Sequence, residues 1–261
     1  MGFELPPIYP VTDKRLARKS THLAILRELW RGGASLVQIR DKETPVRELL
    51  RDLLRCREYA EARNVTLILD DRCDLTLAAG LRGVHLGQDD LPPAEARALL
   101  GEGRIIGYST HSLAQVRRAR ALPVQYIGFG PVFATATKAL ADPVTGLEKL
   151  RRACRAASAP VVAIGGIGLG QVRPVLEAGA SSAAVISALL SAPSIARQME
   201  RFLQAAVCHR GVTGAIIQDA ATVIAAATPA LKAPPSPRRP SPAAPSSGSR
   251  RAPGRPSPWR R

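Results

Sequence analysis

Short apolar segments alternate with amphipathic segments along residues 1–208, and this alternation restricts the possible folds more than any other feature. Each apolar segment has the length of a β-strand, and the segments between them repeat apolar residues at helical spacing. Strands that alternate with helices are parallel, because each helix carries the chain back across the sheet. Eight strands are predicted, at residues 7–13, 35–40, 66–71, 83–87, 104–109, 126–130, 160–166 and 182–187.

The clearest predicted helix spans residues 45–63. Leu49 and Leu53 belong to its apolar face, whereas Arg51 and Arg55 belong to its charged face. Pro45 suits the first turn of a helix, where no backbone N–H is needed. Similar patterns predict further helices at residues 93–100, 113–121, 147–157, 169–178 and 194–206.

Two α/β folds accommodate such a chain, a closed (β/α)8 barrel and an open doubly wound sheet. Eight strands within roughly two hundred residues favour the barrel. Polar motifs also follow the carboxyl ends of at least six predicted strands. An open sheet concentrates its site at one switch point, whereas a barrel collects side chains from several strand ends. We therefore predict an α/β protein with a (β/α)8 TIM barrel.

The composition changes after residue 208. Residues 209–228 form an Ala-rich extension that could be an extra helix. Residues 229–261 are dominated by Pro, Ser, Ala and Arg, and such a segment buries too little apolar surface to offset the entropy of ordering. We therefore predict a barrel catalytic domain at residues 1–208 and a disordered basic tail at residues 229–261.

The formal net charge of +16 suggests a polyanion partner, but its distribution weakens that interpretation. From residue 209 onward, nine Lys or Arg residues stand against one Asp, so half of the excess lies in the last fifth of the chain. Trp259 is the only aromatic residue there, and no recognition module is visible. We therefore expect no specific nucleic-acid partner.

The location of the protein is also predicted from the sequence. No run of 18 or more apolar residues is present, and the N-terminus lacks the pattern of a signal peptide, so we expect no membrane partner. The four cysteines form no C-x-x-C motif and are interpreted as reduced thiols. Together these features predict a cytoplasmic protein.

Two strand ends predict an anion site beside a metal site. The second strand ends in Gln-Ile-Arg-Asp-Lys, where Arg40 and Lys42 suit phosphate oxygens, although a solvated charged loop is an equally good interpretation of this motif alone. Acidic pairs end the third and fourth strands and include Asp71 and Asp90. Mg²⁺ is usually held by one or two carboxylates plus substrate phosphates, so these pairs favour Mg²⁺ over simple helix capping. His85 faces the barrel interior, where a histidine is more often a core residue than a ligand.

The later strand ends predict a second anion site. The loop after the sixth strand contains Thr135-Ala-Thr-Lys138, which presents two hydroxyl groups and an ammonium group. Gly165 and Gly166 follow the seventh strand, and barrels frequently bind phosphate at the last two strand ends. No spacing suggests a Ser-His-Asp or Cys-His arrangement. The predicted chemistry is therefore phosphate or pyrophosphate handling without a covalent nucleophile.

These motifs, in this order and spacing, resemble the thiamine phosphate synthase family across residues 7–207. The most specific are GVHLGQDD at residues 83–90 and T-x-T-K at residues 135–138. The resemblance implies that a pyrimidine pyrophosphate is joined to a thiazole phosphate with the help of Mg²⁺. Asp70 is a departure, because the family has asparagine there, and it adds a negative charge beside an anion.

The resemblance also implies individual roles. Asp71 and Asp90 would hold Mg²⁺, and Arg40, Lys42, Ser109 and Lys138 would be catalytic. The substrates would be bound by Gln38, Ile39, Arg40, Asp41, Lys42, Asp70, Ser109, Thr135, Ala136, Thr137, Lys138, Gly166, Ile186 and Ser187. The implied mechanism is dissociative: pyrophosphate leaves first, and the thiazole nitrogen then captures a pyrimidine-stabilised methylene cation.

Two alternatives remain open. A thiazole tautomerase, from a related barrel family, would use His111 as its acid–base group. A polyanion-binding protein would depend on the basic tail instead. The acids Asp71 and Asp90 together with T-x-T-K favour the synthase.

Overall fold

The computed structural model describes residues 3–135 and 143–207, which fold into eight parallel strands with helices between them. Three predicted site residues, Ala136, Thr137 and Lys138, lie outside the described residues. The predicted extension at residues 209–228 and the predicted tail at residues 229–261 lie outside them as well. None of the described helices is long and apolar enough to span a membrane.

The elements follow one another in the predicted alternation. The strands are β1 (Ile8–Pro10), β2 (Leu36–Ile39), β3 (Thr66–Asp70), β4 (Gly83–Leu86), β5 (Ile105–Thr110), β6 (Tyr126–Phe129), β7 (Val161–Ala163) and β8 (Ser182–Val185). The helices are α1 (Lys14–Ala17), α2 (His22–Arg31), α3 (Val46–Glu61), α4 (Cys73–Ala78), α5 (Pro93–Leu100), α6 (Leu113–Ala119), α7 (Gly146–Ala156), α8 (Leu169–Glu177), α9 (Ser187–Leu190) and α10 (Ile195–Val207).

The sheet closes into a barrel. Each strand from β2 to β7 pairs in parallel with the next, and β1 pairs with β8 at Ile8–Ala183. A parallel bridge between Val11 and Gln38 joins the end of β1 to β2, and the Thr12 amide donates to the Gln38 carbonyl at 2.8 Å. The predicted (β/α)8 barrel is therefore confirmed.

Alternate strand residues fill the barrel interior, since successive side chains point to opposite faces of a strand. Tyr9, Ile68, Tyr126 and Val162 belong to one buried cluster in the interior. Phe3 precedes β1 and packs against this cluster, with its ring centroid 5.9 Å from that of Tyr126. The interior is therefore packed with side chains below the carboxyl ends of the strands, and polar groups are left to line the opening above.

Four of the helices are not among those predicted from the sequence. Three of these, α1, α4 and α9, have only four to six residues and are too short to show a full helical period. The fourth, α2, buries Ile25, Leu26 and Leu29 at helical spacing, and Thr21 caps it by accepting a hydrogen bond from the Ala24 amide at 3.2 Å. The signal for α2 was therefore present in the sequence.

Candidate active site

A cavity of about 660 Å³ opens at the carboxyl ends of the barrel strands. Active sites of this fold are built at that face, from loops that follow the strands. The cavity brings together residues that are far apart in sequence. Predicted site residues that line it are Gln38, Arg40, Lys42, Asp70, Asp71, Asp90, Ser109, Thr135, Gly166, Ile186 and Ser187.

Two cationic and two acidic side chains meet where β2 and β3 end. The Arg40 Nε atom lies 3.5 Å from Asp70 Oδ2, and the Lys42 ammonium lies 3.8 Å from the same oxygen. Lys42 also contacts the Asp71 carboxylate directly. The Gln38 amide donates to Asp70 Oδ1 at 2.9 Å. An anion that enters here would meet two cations that are already held in place by carboxylates.

Asp70 is the most deeply buried acid of this group. Burial raises its pKa to about 6, although Lys42 and Arg40 act in the opposite direction. The nearby Asp90 charge raises it further. A carboxyl group in this position therefore destabilises the folded protein when it is ionised.

Asp70→Asn should raise the melting temperature at pH 8, because the amide still accepts from Gln38 but carries no charge. The pKa of Asp70 is raised in the folded state, so the penalty is fully present above pH 6 and disappears as the pH falls towards the unfolded pKa near 4. The difference in melting temperature between the variant and the wild type should therefore shrink between pH 7 and pH 4. An equal difference at all pH values would contradict this prediction.

Each of the two predicted metal ligands is fixed by a hydrogen bond with a backbone group. Asp71 has a left-handed backbone with φ 62°, and its amide donates to the His85 carbonyl at 2.8 Å. The Asp90 carboxylate accepts from the Gly87 amide at 2.6 Å. No cluster of three or more His, Cys, Asp or Glu ligands occurs in residues 3–135 and 143–207. Two carboxylates nevertheless fit Mg²⁺, which takes its remaining ligands from water and substrate phosphates.

Ser109 is hydrogen-bonded to a histidine inside the barrel. The Ser109 hydroxyl lies 2.8 Å from His85 Nε2, and His85 Nδ1 lies 3.0 Å from the Tyr126 hydroxyl. Burial lowers the pKa of His85 to about 4, so the ring is neutral at physiological pH. Sequence spacing did not suggest this Ser–His pair. The second nitrogen of the ring meets a phenol rather than a carboxylate, so the pair is not part of a Ser-His-Asp triad.

The loops after β7 and β8 lie at the cavity, where the second anion site is predicted. Gly166 has φ 63°, and a Cβ there would lie 2.3 Å from the Ala134 carbonyl oxygen. The loop after β6 therefore packs directly on this glycine, with the Phe133 amide donating to the Gly165 carbonyl at 3.2 Å. Ile186 and Ser187 stand at the start of the short helix α9. A short extra helix after the last strand is a frequent phosphate-binding element of this fold.

Two predicted substrate-binding side chains do not line the cavity. Ile39 is fully buried between the barrel and its helices. Asp41 points away from the opening, where it accepts from Thr44 and lies 2.8 Å from His22 Nε2. Burial alone would raise the pKa of Asp41, but the hydrogen bonds from His22 and Thr44 hold it well below its usual range. Neither residue lines the described cavity, so contact of Ile39 and Asp41 with substrate stays a prediction.

Several lining residues were not assigned to the site from the sequence. Gln88 donates to the Ser109 carbonyl at 2.5 Å, and Gln115 donates to Gln88 Oε1 at 3.0 Å. Gln88 lies within the GVHLGQDD motif and could have been found there. Tyr9 and Tyr126 lie in apolar strands and carried no signal that distinguished them from core residues.

Comparison with known proteins agrees with this geometry. The family model described as thiamine monophosphate synthase matches residues 8–189, which include all eight strands and most of the described cavity. The chain belongs to this family. It is therefore an enzyme, a transferase of thiamine biosynthesis, and use of Mg²⁺ is general among thiamine phosphate synthases.

Relatives in the thiamine phosphate synthase family cover most of the barrel. The thiamine-phosphate synthase of Koribacter versatilis is 43% identical over 209 residues, which are 78% of this chain and 97% of that protein. The thiamine-phosphate synthase of Methanocella arvoryzae is 45% identical over 184 residues, 70% of this chain and 87% of that protein. The solved thiamine phosphate pyrophosphorylase of Pyrococcus furiosus has a TM-score of 0.71 and 34% identity, covering 78% of this chain and 96% of that one.

Proposed function

We propose that the cavity joins 4-amino-5-hydroxymethyl-2-methylpyrimidine pyrophosphate to hydroxyethylthiazole phosphate, giving thiamine phosphate and pyrophosphate. One observation carries the proposal: the cations Arg40 and Lys42 line the same cavity as the acids Asp71 and Asp90, where β2, β3 and β4 end. Gly166 and α9 provide a separate phosphate site across the opening, after β7 and β8. Two anion sites in one cavity suit two phosphorylated substrates.

The chain's own residues would act mainly on the leaving group. When the carbon–oxygen bond to pyrophosphate breaks, negative charge builds up on the departing oxygen. Arg40 is held beside Asp70 before the reaction begins, so it stabilises that charge with little reorganisation, and Lys42 adds its charge once it has turned from Asp71. Lys138 would join them, as the resemblance implies. Ser109 and Gln38 would orient the pyrimidine ring, and the thiazole nitrogen then attacks the methylene cation.

Asp71 and Asp90 are the residues that would hold Mg²⁺. A bound Mg²⁺ would neutralise charge on the pyrophosphate oxygens. The Lys42 ammonium contacts Asp71 and lies near Asp70, and this pairing of a cation with the acidic group supports the proposal. Lys42 would turn from these carboxylates towards the pyrophosphate when both metal and substrate are bound.

The tautomerase alternative is distinguishable from the synthase by its substrate requirement. His111 lines the cavity and its Nδ1 atom lies 2.7 Å from the Gly130 carbonyl oxygen. With a thiazole phosphate tautomer alone, a tautomerase would change the ratio of isomers, and His111→Ala would stop that change. We expect the purified chain to leave the ratio unchanged and to release pyrophosphate only when the pyrimidine pyrophosphate is added. Isomerisation without pyrophosphate release would favour the tautomerase.

Residues 1–208 are proposed as the complete catalytic domain, with a separate tail at residues 229–261. The described barrel has all eight strands and ends in α10, and every described cavity residue precedes residue 190. Cys56, Cys73 and Cys154 are free thiols in the described part of the chain, which fits the cytoplasmic location that we propose.

Deletion of residues 229–261 should leave the melting temperature and the specific activity nearly unchanged. It should also weaken salt-sensitive binding to a polyanion such as heparin, because much of the charge in residues 209–261 is removed. Thermal melting, product assays and heparin elution at several salt concentrations test this. A truncated chain that melts many degrees lower would move the domain boundary.

A further inference from the structure

Four side chains inside the barrel form an unbroken line of hydrogen bonds towards the cavity. The Tyr9 and Tyr126 hydroxyls lie 2.6 Å apart, Tyr126 lies 3.0 Å from His85 Nδ1, and His85 Nε2 lies 2.8 Å from the Ser109 hydroxyl. The line crosses the interior from β1 through β6 and β4 to β5. Ser109 is its end at the cavity, and Tyr9 is its buried end.

The geometry of the line fixes the rings of its members. The Tyr126 ring stacks on His85 with centroids 5.5 Å apart, and it lies over Gly107, where a Cβ would be 2.1 Å from Tyr126 Cζ. Tyr9 and Tyr126 are almost fully buried. Both rings lie at the floor of the cavity with almost no exposed surface, so each hydroxyl hydrogen is satisfied best by an acceptor within the protein.

Only one direction of donation satisfies all four groups. If Tyr126 donated to Tyr9, the Tyr9 hydrogen would need another acceptor, and the structure shows none for it in residues 3–135 and 143–207. If Tyr9 donates to Tyr126, the Tyr126 hydrogen goes to His85 Nδ1 instead. An imidazole that accepts at Nδ1 carries its hydrogen on Nε2 and donates it to the Ser109 oxygen.

We propose that Tyr126 and His85 are positioning residues, which hold the hydrogen-bond chain in the direction from Tyr9 to Ser109 so that the Ser109 hydroxyl donates into the cavity. The Ser109 hydrogen is then directed at a hydrogen-bond acceptor of the substrate, such as a ring nitrogen of an aromatic heterocycle. The inference rests on the proposed function only in taking that heterocycle to be the pyrimidine.

The position of the hydrogen on the His85 ring tests the proposed direction of hydrogen-bond donation, and this test needs no measurement of activity. Imidazole ¹⁵N spectra of the labelled protein distinguish a hydrogen on Nε2 from one on Nδ1. The chain has four histidines, and the His85 signals are those that disappear in His85→Gln. We expect hydrogen on Nε2 alone at pH 7.5. Hydrogen on Nδ1, a mixture of both tautomers, or an imidazolium ring would overturn the proposal.

Matched variants test the effect on substrate. Tyr126→Phe removes the donor to His85 and keeps the ring, so kcat/KM for the pyrimidine pyrophosphate should fall about three- to tenfold, the effect of one neutral hydrogen bond. KM for the thiazole phosphate should not change. Tyr59→Phe, which removes a phenol between Trp30 and Arg63 outside the barrel, should leave both unchanged.

A conservative replacement separates positioning from packing. In His85→Gln the amide nitrogen can donate to Ser109 and the amide oxygen can accept from Tyr126, so this variant should recover most of the activity that His85→Leu loses. Equal loss in both variants, or a parallel rise in KM for both substrates, would indicate a purely structural role. If the wild type makes no thiamine phosphate, the proposed function fails, and the ¹⁵N spectrum still decides the direction of the chain.

Discussion

Asp71→Asn and Asp90→Asn should each lower kcat/KM by more than a hundredfold while the barrel remains folded. The expectation follows from the loss of a carboxylate that would hold Mg²⁺, whose neutralisation of developing charge is worth several kcal/mol. Asparagine is the suitable replacement at both positions. It tolerates the left-handed backbone of residue 71, and its oxygen can still accept from the Gly87 amide at residue 90.

Activity at different Mg²⁺ concentrations tests whether these losses come from weaker metal binding. The two variants should recover part of their activity as the Mg²⁺ concentration is raised, whereas Asp74→Asn, at an exposed acid paired with Arg72, should behave as the wild type. Removal of Mg²⁺ with EDTA should stop the wild type. Full wild-type activity in EDTA, or in either variant at low Mg²⁺, would contradict the metal site.

Arg40→Ala should lower kcat by roughly a hundredfold or more. Removal of one preorganised donor from developing charge typically costs about 2.7–4 kcal/mol of barrier. Arg40 is held beside Asp70 before substrate binds, and it faces the place where pyrophosphate would leave. Lys138→Ala should show a loss of similar size if the role implied by the resemblance is right. Steady-state kinetics with both substrates measure the effect.

Whether Arg40→Ala lowers kcat or raises KM decides how Arg40 acts. Arg40→Lys keeps the charge but loses the planar fork of donors, so it should fall between Arg40→Ala and the wild type. Arg31→Ala, at an exposed arginine paired with Glu28, serves as the control. If KM alone rose in Arg40→Ala, Arg40 would bind the ground state and the transition state equally, and its proposed role would be wrong.

The barrel was predictable because its signal is local. Parallel strands buried on both faces read as short apolar runs, and the helices that cover them have one apolar stripe. The sequence was less informative about where each strand ends. Residues 160–166 were predicted as one strand, but β7 ends at Ala163, and Gly165 and Gly166 already belong to the loop that shapes the cavity.

The acidic and basic motifs of the site were predictable because the carboxyl ends of barrel strands meet at one face. Alternation of side chains along β2 and the residues that follow it also explains why Gln38, Arg40 and Lys42 line the cavity whereas Ile39 and Asp41 do not. The line from Tyr9 to Ser109 was not predictable. Its members lie on four strands and up to 117 residues apart, and each one resembles a core residue in its own segment.

Purified protein mixed with the pyrimidine pyrophosphate, the thiazole phosphate and Mg²⁺ tests the central claim most directly. Chromatography should show thiamine phosphate and pyrophosphate appearing in equal amounts, with neither product when one substrate or Mg²⁺ is omitted. The same mixture with Asp71→Asn should yield almost none of either. Absence of thiamine phosphate with the folded wild-type protein, or its formation at the wild-type rate by Asp71→Asn, would contradict the account.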